Sequence, residues 1–343
     1  MKRTLSILII ISLLISLSGC KNGKKRFEAE FLQLFDTVTK IIAYTESKAE
    51  FEALSNFVYD TLEQYHRLYD IYHDYDGISN IKTINDNAGK VPVKVDRKII
   101  DLLIFSRQAY DMTDGKCNIA LGSVLHIWHQ YREDGINDPG NAALPPKSLL
   151  EQASRHTDIN KIIIDSDTST VFLEDPDMRI DVGSVAKGYA VERLAQAIIE
   201  HGNSFVLFSV GGNVRAVGGR NQTEPWKIGI ENPDEKTEGE MPTVRISDKS
   251  AVTSGTYQRF YTVDGRQYHH IIDPKSLMPS EYFKSVTVIC RDSGLADALS
   301  TAVFCMPYER GRQLIDSIEG TDALWIMPDS ELKYSDNFKQ YTK

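Results

Sequence analysis

The sequence predicts an α+β fold in which a largely antiparallel sheet is flanked by helices. Predicted helices occur singly or in pairs between predicted hairpins, whereas a doubly wound parallel sheet would alternate strand and helix throughout. No G-x-G-x-x-G stretch follows a strand and no Walker loop is present, so those routes to nucleotide binding have no support. With 343 residues, 41% of them hydrophobic, the chain can bury a substantial core.

The first 19 residues are typical of a secretory signal peptide. Two basic residues precede an apolar run over 5–17, which is shorter than the ~20 residues of a membrane span. The run ends in Leu17-Ser18-Gly19-Cys20, which resembles a bacterial lipobox. We therefore expect a lipidated Cys20, with palmitate among its acyl groups, and a tether over 20–30 at the extracytoplasmic face of the cell membrane. A plain signal peptide with a coincidental cysteine is the alternative.

Charge and cysteine content exclude two classes of protein. The chain carries a net charge of −9 without a basic stripe, which argues against nucleic-acid binding. Beyond Cys20 only Cys117, Cys290 and Cys305 remain, an odd number at wide spacing that fits neither a disulfide framework nor a CxxC metal site. Cys290 and Cys305 lie in apolar runs, where burial is expected.

In the N-terminal half, apolar spacing predicts the elements in chain order. The 31–44 segment is predicted to be a strand because Val and Ile alternate with Thr. Residues Leu54, Val58 and Leu62 follow helical spacing within a helix predicted over 49–72. A second helix is predicted over 99–109, a hairpin over 162–173, and a helix over 184–200 that ends at Gly202.

The C-terminal half is predicted to be richer in strands. Strands over 205–210 and 214–217 flank Gly211-Gly212-Asn213, a sequence that tolerates positive φ and so makes a tight turn. Two helices, 294–306 and 309–318, precede a last strand over 324–327. The other predicted strands cover 226–230, 244–246, 259–263, 268–272 and 284–289.

Four segments concentrate glycine, acidic and small polar residues within otherwise apolar patterns. In the first, Asp181 to Tyr189 opens a helix, whose free N–H groups and positive dipole end suit phosphate; an N-cap with a surface lysine is the plainer interpretation. The second is the Gly-Gly-Asn turn, which alone predicts only a hairpin.

The other two segments carry histidine and hard oxygen atoms. His269 and His270 precede Asp273, yet adjacent strand residues point to opposite faces, so the two imidazoles cannot easily share one metal. Asp297 and Thr301 lie four apart on a helix and share a face, and a carboxylate with a hydroxyl suits magnesium. Without context, Asp297 could equally be a partner of the helix dipole.

Taken together and in this order, these segments resemble the ApbE family of FAD:protein FMN transferases. The matching stretches are DVGSVAKGYAVERLA, FSVGGN, SGTYQRF, HHIIDP and DALSTAVF. Upstream, FDTVTKIIAYT, NDNAG and TDGKCNIALGSVLHIWH are similar to the family's N-terminal half. The resemblance covers roughly 31–324 and implies a single ApbE-like, T-fold-like catalytic domain, which we place at 31–340. Several family members are exported lipoproteins.

The resemblance implies transfer of FMN from FAD to a Thr or Ser hydroxyl of another protein, with release of AMP. It implies that Mg²⁺, bridging the FAD diphosphate, is held by the Ala186 carbonyl and the side chains of Asp297 and Thr301. His270 is placed near the flavin and phosphate, so His270 and Asp297 are the expected catalytic residues. The expected FAD contacts are Tyr72, Asn118, Asp181, Gly183, Lys187, Tyr189 and Ile271. The expected acceptor is an FMN-binding domain of a redox pump or reductase.

Two alternative functions share most of these residues. A Mg²⁺-dependent FAD pyrophosphatase would use water in place of the protein hydroxyl and give FMN and AMP. A non-catalytic FAD-binding lipoprotein would not need Asp297 and Thr301, whose presence weighs against it. A structural surface lipoprotein would need none of the five stretches.

The chain departs from the family pattern at three places, which bear on a flavin contact and on a turn. Many members have Met-Gly-Thr where this chain has Phe35-Asp36-Thr37, and an Asp in place of Asn118. The Thr-Gly pair after the HxIDP motif is replaced by Ser276-Leu277. None of these changes involves Ala186, Asp297 or Thr301.

Overall fold

An eight-stranded antiparallel sheet organises the part of the chain that this computed structural model describes, residues 23–234 and 241–343. The predicted signal peptide and Cys20 lie outside the described residues. In chain order the strands are β1 (Lys25–Leu34), β2 (Thr37–Thr45), β3 (Val93–Lys94), β4 (Ile162–Asp165), β5 (Thr170–Leu173), β6 (Val206–Val210), β7 (Asn213–Val217), β8 (Trp226–Gly229), β9 (Thr243–Ile246), β10 (Ser250–Gly255), β11 (Phe260–Val263), β12 (Arg266–His269), β13 (Ser285–Cys290), β14 (Asp322–Ile326) and β15 (Leu332–Tyr334).

The large sheet has the spatial order β1-β2-β6-β7-β10-β13-β14-β15 and is open, with β1 and β15 at its edges. Every pairing within it is antiparallel. The α+β prediction is therefore confirmed. The α-helices are α1 (Lys48–Tyr69), α2 (Ile81–Asp86), α3 (Arg97–Met112), α4 (Gly122–Asn137), α5 (Lys147–Ala153), α6 (Ala186–Glu200), α7 (Ser293–Phe304) and α8 (Tyr308–Asp316).

Both faces of the sheet are buried, and strand alternation assigns residues to two cores. On β14, Trp325 belongs to the larger core with α1, α6 and α7, whereas Leu324 and Ile326 belong to a second core. The second core is closed by the β8–β9 hairpin and by Phe338 of a short C-terminal 3₁₀ helix. Because side chains of successive strand residues point to opposite faces, a strand buried on both sides is continuously apolar.

A third core positions the wall opposite α6 and α7. Trp128 and Val124 of α4 pack with Tyr261 and Val263 of the β11–β12 hairpin. Trp128 Nε1 also donates to the carbonyl of Leu277 at 2.9 Å. This core fixes α4 and the hairpin as one unit, which forms one side of the central cavity.

The segment predicted as one strand over 31–44 is two strands, and that prediction is wrong. Phe35 and Asp36 both adopt φ of +53°, the left-handed conformation of a tight hairpin turn, and the chain reverses there. Neither residue is a glycine or asparagine, so the sequence lacks the usual turn signal. The predicted 20–30 tether is also shorter than expected, because residues from Lys25 onward pair with β2.

The described cysteines are buried and free, as expected for Cys290 and Cys305. Burial raises the pKa of each of the three thiols to about 12, so they are protonated at neutral pH. Within the described ranges, every helix is too short or too polar to span a bilayer.

Candidate active site

One cavity of about 900 Å³ lies between the start of α6, the middle of α7, the α4 wall and the β1–β2 turn. A volume of this size is within the usual range of ligand pockets. It collects residues that are far apart in sequence. The predicted site residues that line it are Tyr72, Asn118, Asp181, Gly183, Ala186, Lys187, His270, Ile271, Asp297 and Thr301.

The three residues predicted to hold the metal line the cavity beside the junction of α6 and α7. The Gly188 N–H donates to Asp297 Oδ2 at 2.8 Å. A Cβ on Gly188 would lie 2.3 Å from the Ser293 carbonyl oxygen and 2.4 Å from Asp297 Cβ. Only glycine therefore allows the two helices to approach this closely, and that approach places the first turn of α6 beside Asp297.

Three oxygen ligands of the kind that a hard divalent cation prefers line this part of the cavity. The residues are Ala186, whose carbonyl is the predicted ligand, Thr301 with a hydroxyl, and Asp297 with a carboxylate that is 4% exposed. Burial raises the pKa of Asp297, while Lys187, the Gly188 N–H and Asn213 oppose that shift. A buried carboxylate whose negative charge is only partly compensated is well suited to bind a cation.

Positive side chains gather at the cavity although the chain is acidic overall. Lys187 and Arg259 line it, and within the described residues neither forms an ion pair. Lys116 also lines it, with Nζ 2.7 Å from Asp273 Oδ1. Cationic side chains that form no close ion pair, beside the start of a helix, suit an anionic, phosphate-bearing ligand.

His269 is the last residue of β12 and His270 follows outside the strand, and the two imidazoles have different surroundings. His269 is buried and its Nε2 donates to the Ser280 carbonyl at 2.8 Å, so it is a packing residue. His270 Nδ1 lies 3.2 Å from the Arg259 carbonyl, which makes Nδ1 the donor and leaves Nε2 unprotonated, as an acceptor without a hydrogen-bond partner among the described residues. Burial, with the charges of Arg259 and Lys187, lowers the pKa of His270 to about 3.

The rim of the cavity includes Tyr72, which is 44% exposed and packs against His129 with ring centroids 4.9 Å apart and ring planes tilted by 32°. Asp70 holds this loop, because its Oδ1 accepts from the Tyr72 N–H at 2.6 Å and its Oδ2 from the Tyr75 hydroxyl at 2.7 Å. These bonds lower the pKa of Asp70. The loop therefore presents an aromatic face that a flat ring system could stack on.

Each of the three positions at which the sequence departs from the family pattern has a defined local environment. Thr37 lies against Gly211, where a Cβ would be 2.8 Å from its side chain, so the two turns meet at the cavity. The Asn118 amide is engaged locally with the Ala120 N–H and the Thr157 carbonyl. Leu277 adopts φ of +60°, a left-handed conformation that a glycine would favour.

The structure does not bring Tyr189 to the cavity, which corrects that predicted contact. Its ring is 8% exposed and packs on Phe105, with Arg193 on its face. Tyr189 lies one residue after Gly188 on α6, and a helical step of about 100° turns it away from α7 toward α3. It is a packing residue.

Sequence reasoning missed part of the charged lining. Lys116 and Arg132 line the cavity, but each lies in a polar stretch that is typical of a solvated surface. Asn213 was noted only as a turn residue, yet it is 2% exposed and faces Asp297. Lys116 and Asn213 lie within the matching stretches, which is the one signal the sequence offers for them, whereas Arg132 lies outside those stretches.

A cluster outside the cavity contains His156, Asp175 and Asp177 within metal-ligand distance of one another. Lys161 Nζ already lies 3.0 Å from Asp175 Oδ2, and His156 Nδ1 lies 2.9 Å from Oδ1. A cationic side chain on the central carboxylate explains the arrangement as an ion-pair network.

The fold and the cavity define the class of protein. Its ligand site combines cationic side chains, oxygen atoms suited to a hard cation and the imidazole of His270. A family model described as the ApbE family matches residues 35–325, which is most of the chain. The chain belongs to the ApbE family.

Similar proteins and solved structures agree with this membership. A protein of Klebsiella pneumoniae (strain 342), named FAD:protein FMN transferase, is 30% identical over 282 residues, covering 82% of this chain and 84% of that one. A Treponema pallidum (strain Nichols) protein of the same name is 29% identical, with 95% and 92% covered. The crystal structure of the ApbE protein of Thermotoga maritima superposes with a TM-score of 0.80 at 27% identity over 93% of this chain and all of that one.

Proposed function

We propose that this protein transfers FMN from FAD to a hydroxyl of another protein and releases AMP. The observation that carries the proposal is the convergence of the α6 start, Asp297, Thr301 and His270 on one cavity, although they come from separate parts of the chain. The relatives named as FAD:protein FMN transferases support the same reaction. The proposed acceptor is an FMN-binding domain of a redox pump or reductase, modified on a Thr or Ser.

The proposed cofactor is Mg²⁺, held by the Ala186 carbonyl and the side chains of Asp297 and Thr301. The oxygen-only set fits a magnesium site, in which waters and substrate phosphate oxygens usually complete the shell. When bound there, the ion would neutralise charge on the FAD diphosphate. The buried carboxylate of Asp297, whose negative charge is only partly compensated, supports this assignment.

The residues of the chain supply binding and proton transfer. Lys187 and Arg259 would hold the diphosphate, and Tyr72 offers a stacking face at the rim. His270 Nε2 would accept the proton of the incoming hydroxyl, because its pKa of about 3 keeps it neutral. The hydroxyl oxygen then bonds to the phosphorus next to riboflavin while the bond to AMP breaks.

Incubation with FAD and a candidate acceptor protein, followed by mass spectrometry, tests the proposal. We expect a covalent FMN adduct on the acceptor that requires a divalent cation and disappears with EDTA. Free FMN and AMP without an adduct, for every acceptor offered, would instead identify an FAD pyrophosphatase. Tight FAD binding without turnover would identify a binding protein.

Replacing His270 by Ala is expected to slow FMN transfer by roughly 10²–10⁴-fold, the usual contribution of a general base. Since the pKa of His270 is lowered to about 3, the pH–rate profile of the unchanged enzyme should show no inflection from this residue between pH 5 and 8. The control is His201→Ala, an exposed histidine bonded within its own helix. An inflection near pH 6.5 that vanishes in His270→Ala would contradict the assignment.

Replacing Cys20 by Ala tests the proposed lipid anchor at the extracytoplasmic face of the cell membrane. The lipobox-like sequence before Cys20 supports the anchor. We expect the variant to leave the membrane fraction and to keep its specific activity, because the residues proposed to bind FAD and Mg²⁺ and to catalyse transfer all lie between Tyr72 and Thr301. A variant that still sediments with membranes would exclude anchoring through this cysteine.

A further inference from the structure

Helix α6, strand β7 and helix α7 meet at the end of the cavity that carries the proposed metal ligands. The same three elements contact one another again farther from the cavity. At the cavity, Gly188 of α6, Asn213 of β7 and Asp297 of α7 come together. The deeper contact is formed by Glu192 of α6, Arg215 of β7 and Ser293 of α7.

The spacing of these two layers follows from the geometry of the elements. Glu192 is four residues after Gly188, and Ser293 is four before Asp297, so each pair occupies the same face of its helix. Arg215 is two residues after Asn213 and therefore points to the same face of β7. The deeper layer repeats the contact of α6, β7 and α7 about one helical turn away from the cavity.

One carboxylate joins the three elements in the deeper layer. Glu192 Oε2 accepts from Arg215 Nε at 3.0 Å and from the Ser293 N–H at 3.0 Å. The Glu192 and Arg215 side chains are 6% and 3% exposed. Arg215 also donates to the Ala216 carbonyl, so both partners are held on more than one side.

We propose that Glu192 and Arg215 are positioning residues for the metal-ligand set, an inference that rests on the proposed function. They fix α6 against α7, and this fixes the Ala186 carbonyl relative to the side-chain oxygens of Asp297 and Thr301. Mg²⁺ requires near-octahedral geometry at about 2.0–2.1 Å. A small displacement of one helix would therefore weaken binding while leaving each ligand in place.

Stability alone does not explain a buried ion pair at this position. Well-packed apolar residues of similar volume commonly replace such a pair without loss of stability, whereas removal of one partner is strongly destabilising. The pair lies directly beneath the proposed ligands and touches the same three elements. A role in holding the geometry of the proposed metal ligands accounts for the burial of the ion pair and for its position beneath them.

The test compares the Mn²⁺ affinity of two variants of the full mature chain. Electron paramagnetic resonance measures Mn²⁺ binding with FAD present. Glu192→Gln removes one charge. Glu192→Met combined with Arg215→Met removes both charges and keeps a similar side-chain volume, so the double variant is expected to fold. We expect Mn²⁺ affinity to fall about 10–100-fold, as for other residues that orient metal ligands. FAD affinity and the thermal unfolding midpoint of the double variant should stay near those of the unchanged chain.

Two reference variants separate the possible results. Asp322→Asn alters another buried carboxylate, bonded to Ser335 and Tyr341 away from the cavity, and should leave Mn²⁺ affinity unchanged. Unchanged affinity in the folded double variant would overturn the positioning role while leaving the metal site intact. Equal Mn²⁺ binding by the unchanged chain and Asp297→Asn would overturn the metal site and this inference together.

Discussion

Replacing Asp297 by Asn is expected to lower FMN transfer by about 10²–10³-fold and to abolish its response to Mg²⁺. A bound cation typically supplies several kcal/mol of transition-state stabilisation, and each 1.36 kcal/mol is a factor of ten in rate. Asn keeps the shape of Asp and one carbonyl oxygen, which can still accept from the Gly188 N–H. The fold should therefore persist, and the loss can be assigned to the missing charge.

The measurement is the rate of AMP release against Mg²⁺ concentration at saturating FAD. Asp175→Asn is the matched control, because Asp175 is also buried and bonded to His156 and Lys161 but lies outside the cavity. It should leave the Mg²⁺ response unchanged. A variant at Asp297 that keeps full, Mg²⁺-dependent activity would show that the metal is held elsewhere.

Replacing Gly188 by Ala is expected to be the most damaging single-methyl change for the fold around the site. The new Cβ would lie 2.3 Å from the Ser293 carbonyl oxygen, which is backbone and cannot rotate away. The helices α6 and α7 must then separate, at a cost of about 1–3 kcal/mol for overpacking. Activity should fall with stability, because the separation also displaces Asp297 from the first turn of α6.

Thermal unfolding and AMP release, measured on the same preparation, test this prediction. Gly229→Ala in β8 is the control, since a Cβ there meets nothing within 4 Å. Its unfolding midpoint and activity should match those of the unchanged chain. If Gly188→Ala unfolds at the same temperature as the control, the close helix approach does not exist in solution.

The sequence predicted best those helices and strands that bury one face and expose the other. Leu54, Val58 and Leu62 occupy one stripe of α1, and all three are buried. Boundaries were less accurate: α3 begins at Arg97, where Asp96 caps it, two residues before the predicted start. The β1–β2 reversal was missed because tertiary contacts hold it. The Phe35 N–H donates to His66 Nδ1 at 3.2 Å, a partner that lies 31 residues away.

Helix α4 and strand β10 were not predicted, and their environment explains why. The apolar residues of α4 pack partly against the distant β11–β12 hairpin, so its amphipathic pattern is weak; His126 and His129 add to its polar character. Strand β10 lies in the middle of the sheet and is buried, but it contains small and polar residues that resemble a loop.

The composition of the site was predictable, but its assembly was not. Asp297 and Thr301 share a helix face by spacing alone, which the structure agrees with, since both line the cavity. The approach of α6 required Gly188, whose importance is not apparent from sequence because glycine within a helix usually only destabilises. The two contacts among α6, β7 and α7 depend on how β7 packs against both helices. No local sequence pattern specifies that packing.

Strand β1 has a consequence for where the enzyme can work. Its first residue, Lys25, follows Cys20 closely in sequence, while its last residue, Leu34, adjoins the turn at Phe35 that lines the cavity. Ten extended residues span about 30 Å. If the lipid on Cys20 inserts into the bilayer as proposed, β1 would act as a rigid spacer between the bilayer and the cavity. Acceptor hydroxyls would then have to be displayed on a part of the partner that projects from the membrane surface.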